Sequence, residues 1–296
     1  MPALARRIPT RAETMRGVLF MLAGFFFYAT SDSIAKVLTQ SLHPVQVVWT
    51  RQFGLFCCVI LLLARHGTGI MRTRHHAIQI ARGVTAVGAS ISFVFAVTYI
   101  PLADAMAIAF VAPFFVTVLG ALVLGEPIGM RRWIAVAIGF AGMLIIVRPG
   151  LGVLHPASVL PILAAAFFAA RQVLSRMISG DDGSMTTVAY TAISAVTVLT
   201  LPLPFFWAWP NDPVTVALLG VIAVTAGLAE FLIVRALELA QAVVVAPTQY
   251  TVLIWGTMWG FLIFDQLPDG WTLAGAAIIM ASGLYTLHRE ARAGSN

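Results

Sequence analysis

The sequence predicts an all-α integral membrane protein, with ten transmembrane helices arranged as two inverted five-helix repeats around a central cavity. Three observations lead to this prediction: the scarcity of charge, a series of apolar segments, and a likeness between the two halves. Only 10% of the 296 residues are charged and 60% are hydrophobic, whereas a soluble domain usually has about 25% charged residues. A chain so poor in charge cannot cover a surface that faces water, so the composition excludes an ordinary soluble protein.

Ten apolar segments follow one another along the chain, each near the roughly 20 residues that a membrane helix needs. In order they are 16–38, 44–64, 77–99, 103–124, 132–148, 156–178, 186–207, 214–237, 242–264 and 271–288. Short stretches with proline, glycine or acidic residues separate them, which is typical of turns. The clearest of these breaks are at His43–Pro44, Pro101–Asp104, Gly125–Pro127, Arg148–Gly150, Trp209–Pro213 and Leu267–Gly270.

The basic residues predict the orientation of these segments. We place the N-terminus in the cytoplasm and count the lysines and arginines at the ends of the segments and between them. The opposite side then has only Lys36 and Arg148. The cytoplasmic side then collects Arg6, Arg7, Arg11, Arg16, Arg65, Arg72, Arg74, Arg131, Arg132, Arg176, Arg235, Arg289 and Arg292. Cytoplasmic loops carry such an excess of basic residues, so both termini are expected in the cytoplasm. The net charge of +6 therefore reflects membrane orientation and not nucleic-acid binding.

The two halves of the chain share a pattern. The matched features are the starts Leu102-Ala-Asp-Ala105 and Leu239-Ala-Gln-Ala242, then Pro113 and Pro247, then Trp133 and Trp271. Segments one and six also match loosely, which places Lys36 opposite Arg176. Because a repeat of five segments is odd, the second copy must enter the membrane from the other side. Inverted repeats of this kind build carriers that work by alternating access.

The pattern divides the chain into two repeats and two short tails. The predicted units are a cytoplasmic tail 1–15, a first repeat 16–148, a second repeat 156–288 and a cytoplasmic tail 289–296. The stretches 101–150 and 238–285, which hold the matched features, resemble the EamA-type branch of the drug/metabolite transporter superfamily. This resemblance covers about residues 16–288, and the family includes amino-acid exporters. It implies a basket of helices around a central cavity, with segments five and ten at the periphery.

Ionisable residues inside these segments are candidates for function, because a charge at mid-membrane costs about 2.5–3.5 kcal/mol or more. Asp32 and Lys36 are four residues apart, so they are expected to pair on one face, with Lys36 reaching toward the lipid head groups. Alternatively, Asp32 and Tyr28 line the cavity and meet a substrate ammonium group or a proton.

Three arginines also lie within the segments. Arg51 and Arg171 are either counter-ions of Asp32 or Glu230, or one of them binds a substrate carboxylate, which a planar guanidinium fits well. Arg82 lies nearer the cytoplasmic end of segment three, where an anchor that reaches the head groups is expected.

Glu230 has no cationic partner at helical spacing in its own segment, so it is either the proton-coupling group or a structural partner of Arg171 or Arg51. In segment nine, Pro247 leaves a backbone carbonyl without its helical hydrogen bond, and Thr248, Gln249 and Tyr250 place polar groups beside it. Such open backbone is tolerated inside a membrane protein where it faces protein or a water-filled cavity. The predicted cavity-lining or substrate-binding residues are Tyr28, Asp32, Arg51, Tyr99, Phe110, Arg171, Glu230, Gln249 and Tyr250.

The sequence and the resemblance together predict a multi-pass carrier of the bacterial inner membrane that exports amino acids, aromatic or hydrophobic ones among them, and related small metabolites. The alternative is an uptake carrier for a cofactor-like solute such as riboflavin or S-adenosylmethionine. An intramembrane enzyme would need Asp32 and Glu230 as its acid pair, and no catalytic residue, cofactor or metal site is expected. The expected partners are a small solute and membrane lipid, not nucleic acid, for a monomer or weak homodimer.

Overall fold

The computed structural model describes residues 10–125, 129–148, 155–178, 181–240 and 242–293, and the regular structure of this part is helical. The helices are α1 (Arg11–Leu38), α2 (Pro44–His66), α3 (His76–Tyr99), α4 (Leu102–Ala109), α5 (Ala112–Leu124), α6 (Met130–Val147), α7 (Val159–Met177), α8 (Ser184–Thr200), α9 (Leu203–Phe206), α10 (Pro213–Leu239), α11 (Ala242–Val245), α12 (Thr251–Phe264) and α13 (Gly270–Ala293). Short 3₁₀ turns cover Thr68–Met71, Pro156–Ser158 and Ala246–Tyr250.

The helices match the predicted apolar segments, since each of the ten falls on one helix or on consecutive helices. By length and composition, six stretches of the described chain could cross a membrane: Arg11–Leu38, Pro44–Arg65, His76–Tyr99, Leu102–Leu124, Pro156–Met177 and Pro213–Leu237. Shorter apolar helices cover Trp133–Val147, Ser184–Thr200 and Gly270–Tyr285. The prediction of an all-α membrane protein is confirmed, and the count of ten spans stays a prediction.

Some predicted features lie outside the described residues. They include parts of the turns at Gly125–Pro127 and Arg148–Gly150, the tail ends 1–9 and 294–296, and the side chains of Arg6, Arg7, Arg131, Arg132, Arg289 and Arg292.

Helix α1 begins five residues before the predicted start at residue 16, because Thr10 caps it. The Thr10 hydroxyl accepts a hydrogen bond from the Glu13 N–H at 3.2 Å, and the Glu13 carboxylate accepts one from the Thr10 N–H at 2.7 Å. This reciprocal arrangement satisfies two backbone donors that would otherwise lack partners. The polar cap therefore extends the helix beyond its apolar stretch.

Two of the predicted segments are interrupted at corresponding prolines. Helix α4 ends at Ala109 and α5 restarts at Ala112, with Pro113 in its first turn. In the second half, α11 ends at Val245 and α12 begins after a 3₁₀ turn that contains Pro247. Proline has no N–H to bond the carbonyl four residues earlier, so each break falls where that bond is lost. The chain is thus irregular at two related places inside apolar segments.

The contacts between helices in the first half of the chain correspond to contacts in the second half. The main contacts are α1 with α10, α3 with α7, α2 with α10, α3 with α8, α1 with α12, α5 with α7, α2 with α8, α4 with α12 and α6 with α13. If every predicted segment is exchanged with the segment five places later, each contact becomes either another contact of the same set or, for α2 with α8, α4 with α12 and α6 with α13, itself. For example, α1 on α10 becomes α7 on α3.

Close helix packing depends on small residues, as Gly54 of α2 shows. A Cβ atom added at Gly54 would lie 2.2 Å from the carbonyl oxygen of Ala223 in α10. This distance is far below van der Waals contact, and the neighbouring atom is backbone, which cannot turn aside. The absence of a side chain at Gly54 is what lets α2 approach α10.

We therefore expect Gly54→Ala to lower the free energy of unfolding by about 1–3 kcal/mol, the usual cost of overpacking. Thermal unfolding of the detergent-purified protein measures this effect. The matched control is Gly220→Ala in α10, where an added Cβ meets no atom within 4 Å. An equal loss in both variants would contradict the close contact as the cause.

Candidate functional site

A buried ion pair joins α1 to α2. One guanidinium nitrogen of Arg51 lies 2.5 Å from a carboxylate oxygen of Asp32, and each side chain is only 6% exposed. The Tyr28 ring covers the guanidinium, with 4.6 Å between the Arg51 Cζ and the ring centroid. The structure thus brings three of the predicted site residues together, and Arg51 is the counter-ion of Asp32, as one of the two alternatives held.

The predicted pair of Asp32 with Lys36 is wrong. The Lys36 ammonium donates to the Ile100 carbonyl at 2.9 Å and to the Gln266 side-chain oxygen at 3.0 Å. Residues four apart on a helix differ in direction by about 40°, which is enough here to point the two side chains at different neighbours. Lys36 is also only 8% exposed, so it does not reach out to the head groups.

The contacts of Lys36 belong to a polar network at one end of the bundle, which we call the Lys36 end. Here the Thr272 hydroxyl donates to the Asp104 carboxylate at 2.9 Å. The Arg148 guanidinium forms an ion pair with Asp269. The backbone N–H of Thr272 and the Arg148 guanidinium hold the pKa of the Asp269 carboxyl below its ordinary value. Three contacts of this network, Lys36 with Gln266, Asp104 with Thr272 and Arg148 with Asp269, link the first half of the chain to the second.

A second polar network links the halves at the opposite end, which we call the Asp182 end. The Asp182 carboxylate accepts hydrogen bonds from the Thr73 hydroxyl at 2.7 Å and from the Gln79 amide at 2.7 Å. Nearby, His75 Nε2 lies 3.0 Å from the Asp181 carboxylate. Partial desolvation acts to raise the pKa of Asp182, but the hydrogen bonds from Thr73 and Gln79, together with the nearby His75 and His76, lower that pKa below its ordinary value.

Arg82 lies inside the bundle, so its prediction as a head-group anchor is wrong. It is 6% exposed, and its Nε donates to the Ser175 hydroxyl at 2.7 Å. A second guanidinium nitrogen donates to the Gln79 side-chain oxygen at 3.0 Å. These two neutral acceptors satisfy two of the five N–H donors of Arg82 and hold the side chain inside the bundle, away from the membrane surface.

Arg171 and Glu230 lie near Arg82 without direct pairing. The Arg171 guanidinium stacks 5.1 Å over the Phe168 ring of its own helix. Arg82 interacts electrostatically with both Arg171 and Glu230, and Glu230 also acts on Arg51. Among the described residues, neither Arg171 nor Glu230 forms an ion pair within 4.0 Å, so the predicted direct pairs of Glu230 with Arg171 or Arg51 do not form.

The two helix breaks meet through aromatic rings. Phe110, at the end of α4, stacks on Tyr250 of the 3₁₀ turn with 5.2 Å between ring centroids. Tyr250 is 4% exposed and shares a hydrogen bond with Gln249. Three predicted site residues therefore lie where the irregular parts of the two halves face each other.

Tyr99 lies apart from the other predicted site residues. It is the last residue of α3 and is 58% exposed. Its ring stacks on His155 with 5.7 Å between centroids, at the Lys36 end of the bundle. Its role as a cavity-lining residue stays a prediction.

A cavity of about 280 Å³ opens between α5 and α7, lined by Val116, Gln172, Ser175 and Arg176. The corresponding place between α12 and α1 is filled. There Trp255 and Trp259 pack on Phe26 at 5.3 and 6.0 Å between ring centroids. A second cavity, of about 450 Å³, has a mostly apolar lining on α6 and α13, away from the charged interior. Of these two cavities, the one between α5 and α7 adjoins the buried Arg82, because Ser175 both lines it and accepts a hydrogen bond from Arg82.

The sequence matches a family of membrane proteins. A profile described as the EamA-like transporter family matches residues 15–148. A riboflavin transporter of Vibrio cholerae is 30% identical over 284 residues, which cover 94% of this chain and 95% of the relative.

Two further relatives have other named solutes. An S-adenosylmethionine uptake transporter of Rickettsia prowazekii is 25% identical over 95% of this chain and 96% of its own length. A pseudopaline exporter of Pseudomonas aeruginosa is 28% identical over 90% of this chain and 94% of its own length. A solved crystal structure has a TM-score of 0.61 at 16% identity and covers 92% of this chain and 98% of its own, which shows a similar fold.

The ion pair leads to a first prediction for this site. We expect Asp32→Asn to lower the free energy of unfolding by about 3–5 kcal/mol, because it leaves Arg51 as a buried charge without its partner. Unfolding of Asp32→Asn, Arg51→Gln and the double variant in detergent measures the coupling between the two residues. Additive losses would show that the pair contributes nothing. Asp212→Asn is the control, because Asp212 caps α10 in an exposed position and asparagine caps a helix about as well as aspartate, so this variant should unfold like the wild type.

The Asp182 contacts lead to a prediction about pH. Because the folded protein lowers the pKa of Asp182 below its ordinary value of 3.8, the ionised group stabilises the fold above that value, and this contribution is lost as pH falls through the lowered pKa. Asp182→Asn should therefore lower the midpoint of thermal unfolding at neutral pH, with the difference from wild type shrinking below pH 3.8. Thr73→Val should reproduce part of the effect. A difference independent of pH would contradict it.

Proposed function

Because the chain belongs to the EamA-like transporter family, we propose that it exports amino acids and related small metabolites across the bacterial inner membrane by alternating access. The observation that carries this proposal is a set of buried and half-buried charges of both signs inside the bundle. Asp32 and Glu230 lie in the same interior as Arg51 and two further arginines. An amino acid presents one group of each sign, and an interior of this kind offers an electrostatic partner to both.

Alternating access between two inverted repeats is supported by the packing. The set of helix contacts keeps its form when each segment is exchanged with the segment five places later. The breaks at Pro113 and Pro247 occupy related positions, and broken helices at a repeat interface are where such carriers bind their solutes.

A difference in packing between the two ends of the bundle indicates which end is open. Trp255 and Trp259 fill the space between α12 and α1, while the related space between α5 and α7 holds a cavity. We take this to be a conformation closed at the Lys36 end and open toward the Asp182 end. With both termini in the cytoplasm, the Asp182 end faces the cytoplasm.

The membrane-transporter class rests on the family and its relatives. The three relatives described above are named as transporters or exporters. The chain is therefore a multi-pass bacterial membrane transporter and not an intramembrane enzyme. The proposed acid pair is moreover divided, because Asp32 is bound to Arg51.

A second candidate is uptake of a cofactor-like solute. It is favoured by the names of two relatives, an S-adenosylmethionine uptake transporter and a riboflavin transporter. The pseudopaline exporter favours the outward direction. The relatives thus support both directions, and the charged interior is what leads us to amino-acid-like solutes.

Transport by purified protein in liposomes tests the proposal. We expect saturable counterflow of one or more of tryptophan, phenylalanine, threonine and methionine. Riboflavin and S-adenosylmethionine are run beside them, because exchange of these two alone would favour the second candidate and contradict amino-acid transport. Efflux from preloaded cells against uptake into the same cells then gives the direction.

Glu230→Gln is the informative variant in this assay. We expect it to lower counterflow at least about tenfold, because a positive group of the solute loses a half-buried charged partner. Asp212→Asn is the matched acid-to-amide control on the same element, since Asp212 only caps α10 in an exposed position. Full activity of Glu230→Gln would remove Glu230 from the site.

A further inference from the structure

We propose that Arg82 and Arg171, with the polar side chains of Ser175 and Gln172, form a binding subsite for one negative group, the carboxylate of the carried solute. The inference rests on the proposed function for the source of that carboxylate. It assigns to Arg82 a binding role that its position near a helix end does not suggest.

The Arg171 guanidinium is placed as a donor without an acceptor. It is half-buried in α7, and its one face is covered by the Phe168 ring at 5.1 Å. Among the described residues it has no hydrogen-bond acceptor and no carboxylate within ion-pair distance. A guanidinium has five N–H donors in a planar fork that matches a carboxylate. Arg171 therefore keeps this fork available to a ligand.

Arg82 is held rigidly beside it. Its Nε donates to the Ser175 hydroxyl, and that hydroxyl in turn donates to the Arg171 carbonyl at 2.7 Å. The two guanidinium groups therefore belong to one connected arrangement on α3 and α7, and they repel each other electrostatically. Like charges in a medium of low dielectric raise the free energy of the empty site, and an anion between them relieves it.

The charges of this region do not balance within the described chain. Asp32 neutralises Arg51 through the ion pair. One carboxylate, that of Glu230, and one further guanidinium group, that of Arg171, act on Arg82, so two positive groups stand against one negative group. One positive charge remains, so a ligand group with a single negative charge completes the site.

The cavity gives this group a way in. It has a volume of about 280 Å³ and is lined by Gln172 and Ser175 on α7 and by Val116 on α5. Ser175 is also the residue that holds Arg82. Arg176 lines the same cavity. A carboxylate that enters between α5 and α7 therefore meets Arg176, Gln172 and Ser175, and Ser175 joins the cavity to Arg82.

The phosphate of an anionic lipid has the same charge chemistry, so the experiment separates the two sources. We commit to the solute, because Arg82 is only 6% exposed and a lipid head group is bulkier than a carboxylate. The probes are benzoate and benzamide, which share a shape and differ in charge, together with phosphatidylglycerol in detergent micelles.

The measurement is the midpoint of thermal unfolding of delipidated protein against probe concentration, which needs no transport. Benzoate should stabilise the wild type and benzamide should not. Arg171→Gln should weaken benzoate binding about tenfold or more, the usual loss for one charge-assisted contact. Arg171→Lys should fall between the two, because it keeps the charge and loses the fork. Arg82→Gln should also weaken binding.

The matched control is Arg235→Gln in α10. Arg235 likewise stacks on a phenylalanine of its own helix, with 5.6 Å to the Phe231 ring, but it is exposed and lies outside the cavity. Its benzoate response should equal that of wild type. An equal response to benzoate and benzamide, an unchanged response in Arg171→Gln, or protection by phosphatidylglycerol alone would overturn the proposal. If Arg171→Gln does not fold, Arg171→Lys and Arg82→Gln carry the comparison.

Counterflow separates this inference from the proposed function. If amino acids are exchanged but benzoate does not discriminate between Arg171→Gln and wild type, the subsite is wrong and the function stands. If benzoate binds as expected but no amino acid is exchanged, the function fails, and the site takes the carboxylate of another solute.

Discussion

The cost of a charge in a low-dielectric interior is the constraint on which the rest of this structure depends. An uncompensated buried carboxylate or guanidinium is expensive, and the bundle meets this cost with partners drawn from different helices. Asp32 takes Arg51 from the next helix, and Lys36 takes a carbonyl and an amide oxygen from distant segments. The positions of the buried charges thus decide which helices must stay together.

The same constraint explains how the two halves are joined. At the Lys36 end, Asp104 and Thr272 connect residues far apart in sequence. At the Asp182 end, Gln79 and Asp182 do the same. Polar contacts at both ends therefore link the halves, while apolar faces and small residues such as Gly54 set the spacing in between. A carrier that opens alternately must break one set of polar contacts and keep the other, and contacts of this exposed or half-buried kind cost less to break than the buried Asp32–Arg51 pair.

The region around Arg82 differs from the rest because its charges are not matched. Arg171 and the carboxylate of Glu230 both act on Arg82, which lies beside a cavity through its contact with Ser175, whereas the buried acid Asp32 is bound to a base. A site left incomplete in this way is stabilised when a ligand binds it. The relatives are named for solutes of different kinds and for both directions of transport. The charges around Arg82 are therefore the feature of this chain that points to one class of solute.

Composition and pattern alone determined the class of this protein, because a chain that is 10% charged has one environment that suits it and periodic breaks divide it into helices. They also found the prolines that interrupt two segments, since proline acts through its own backbone. Only the tertiary structure decided the partners. Asp32 and Lys36 share spacing that permits a pair, yet Arg51, Ile100 and Gln266 compete for them from other helices. Arg82 is near a helix end in sequence but buried in space. Spacing along one helix describes only its own face, whereas the energy of a buried charge depends on which other helices pack against it.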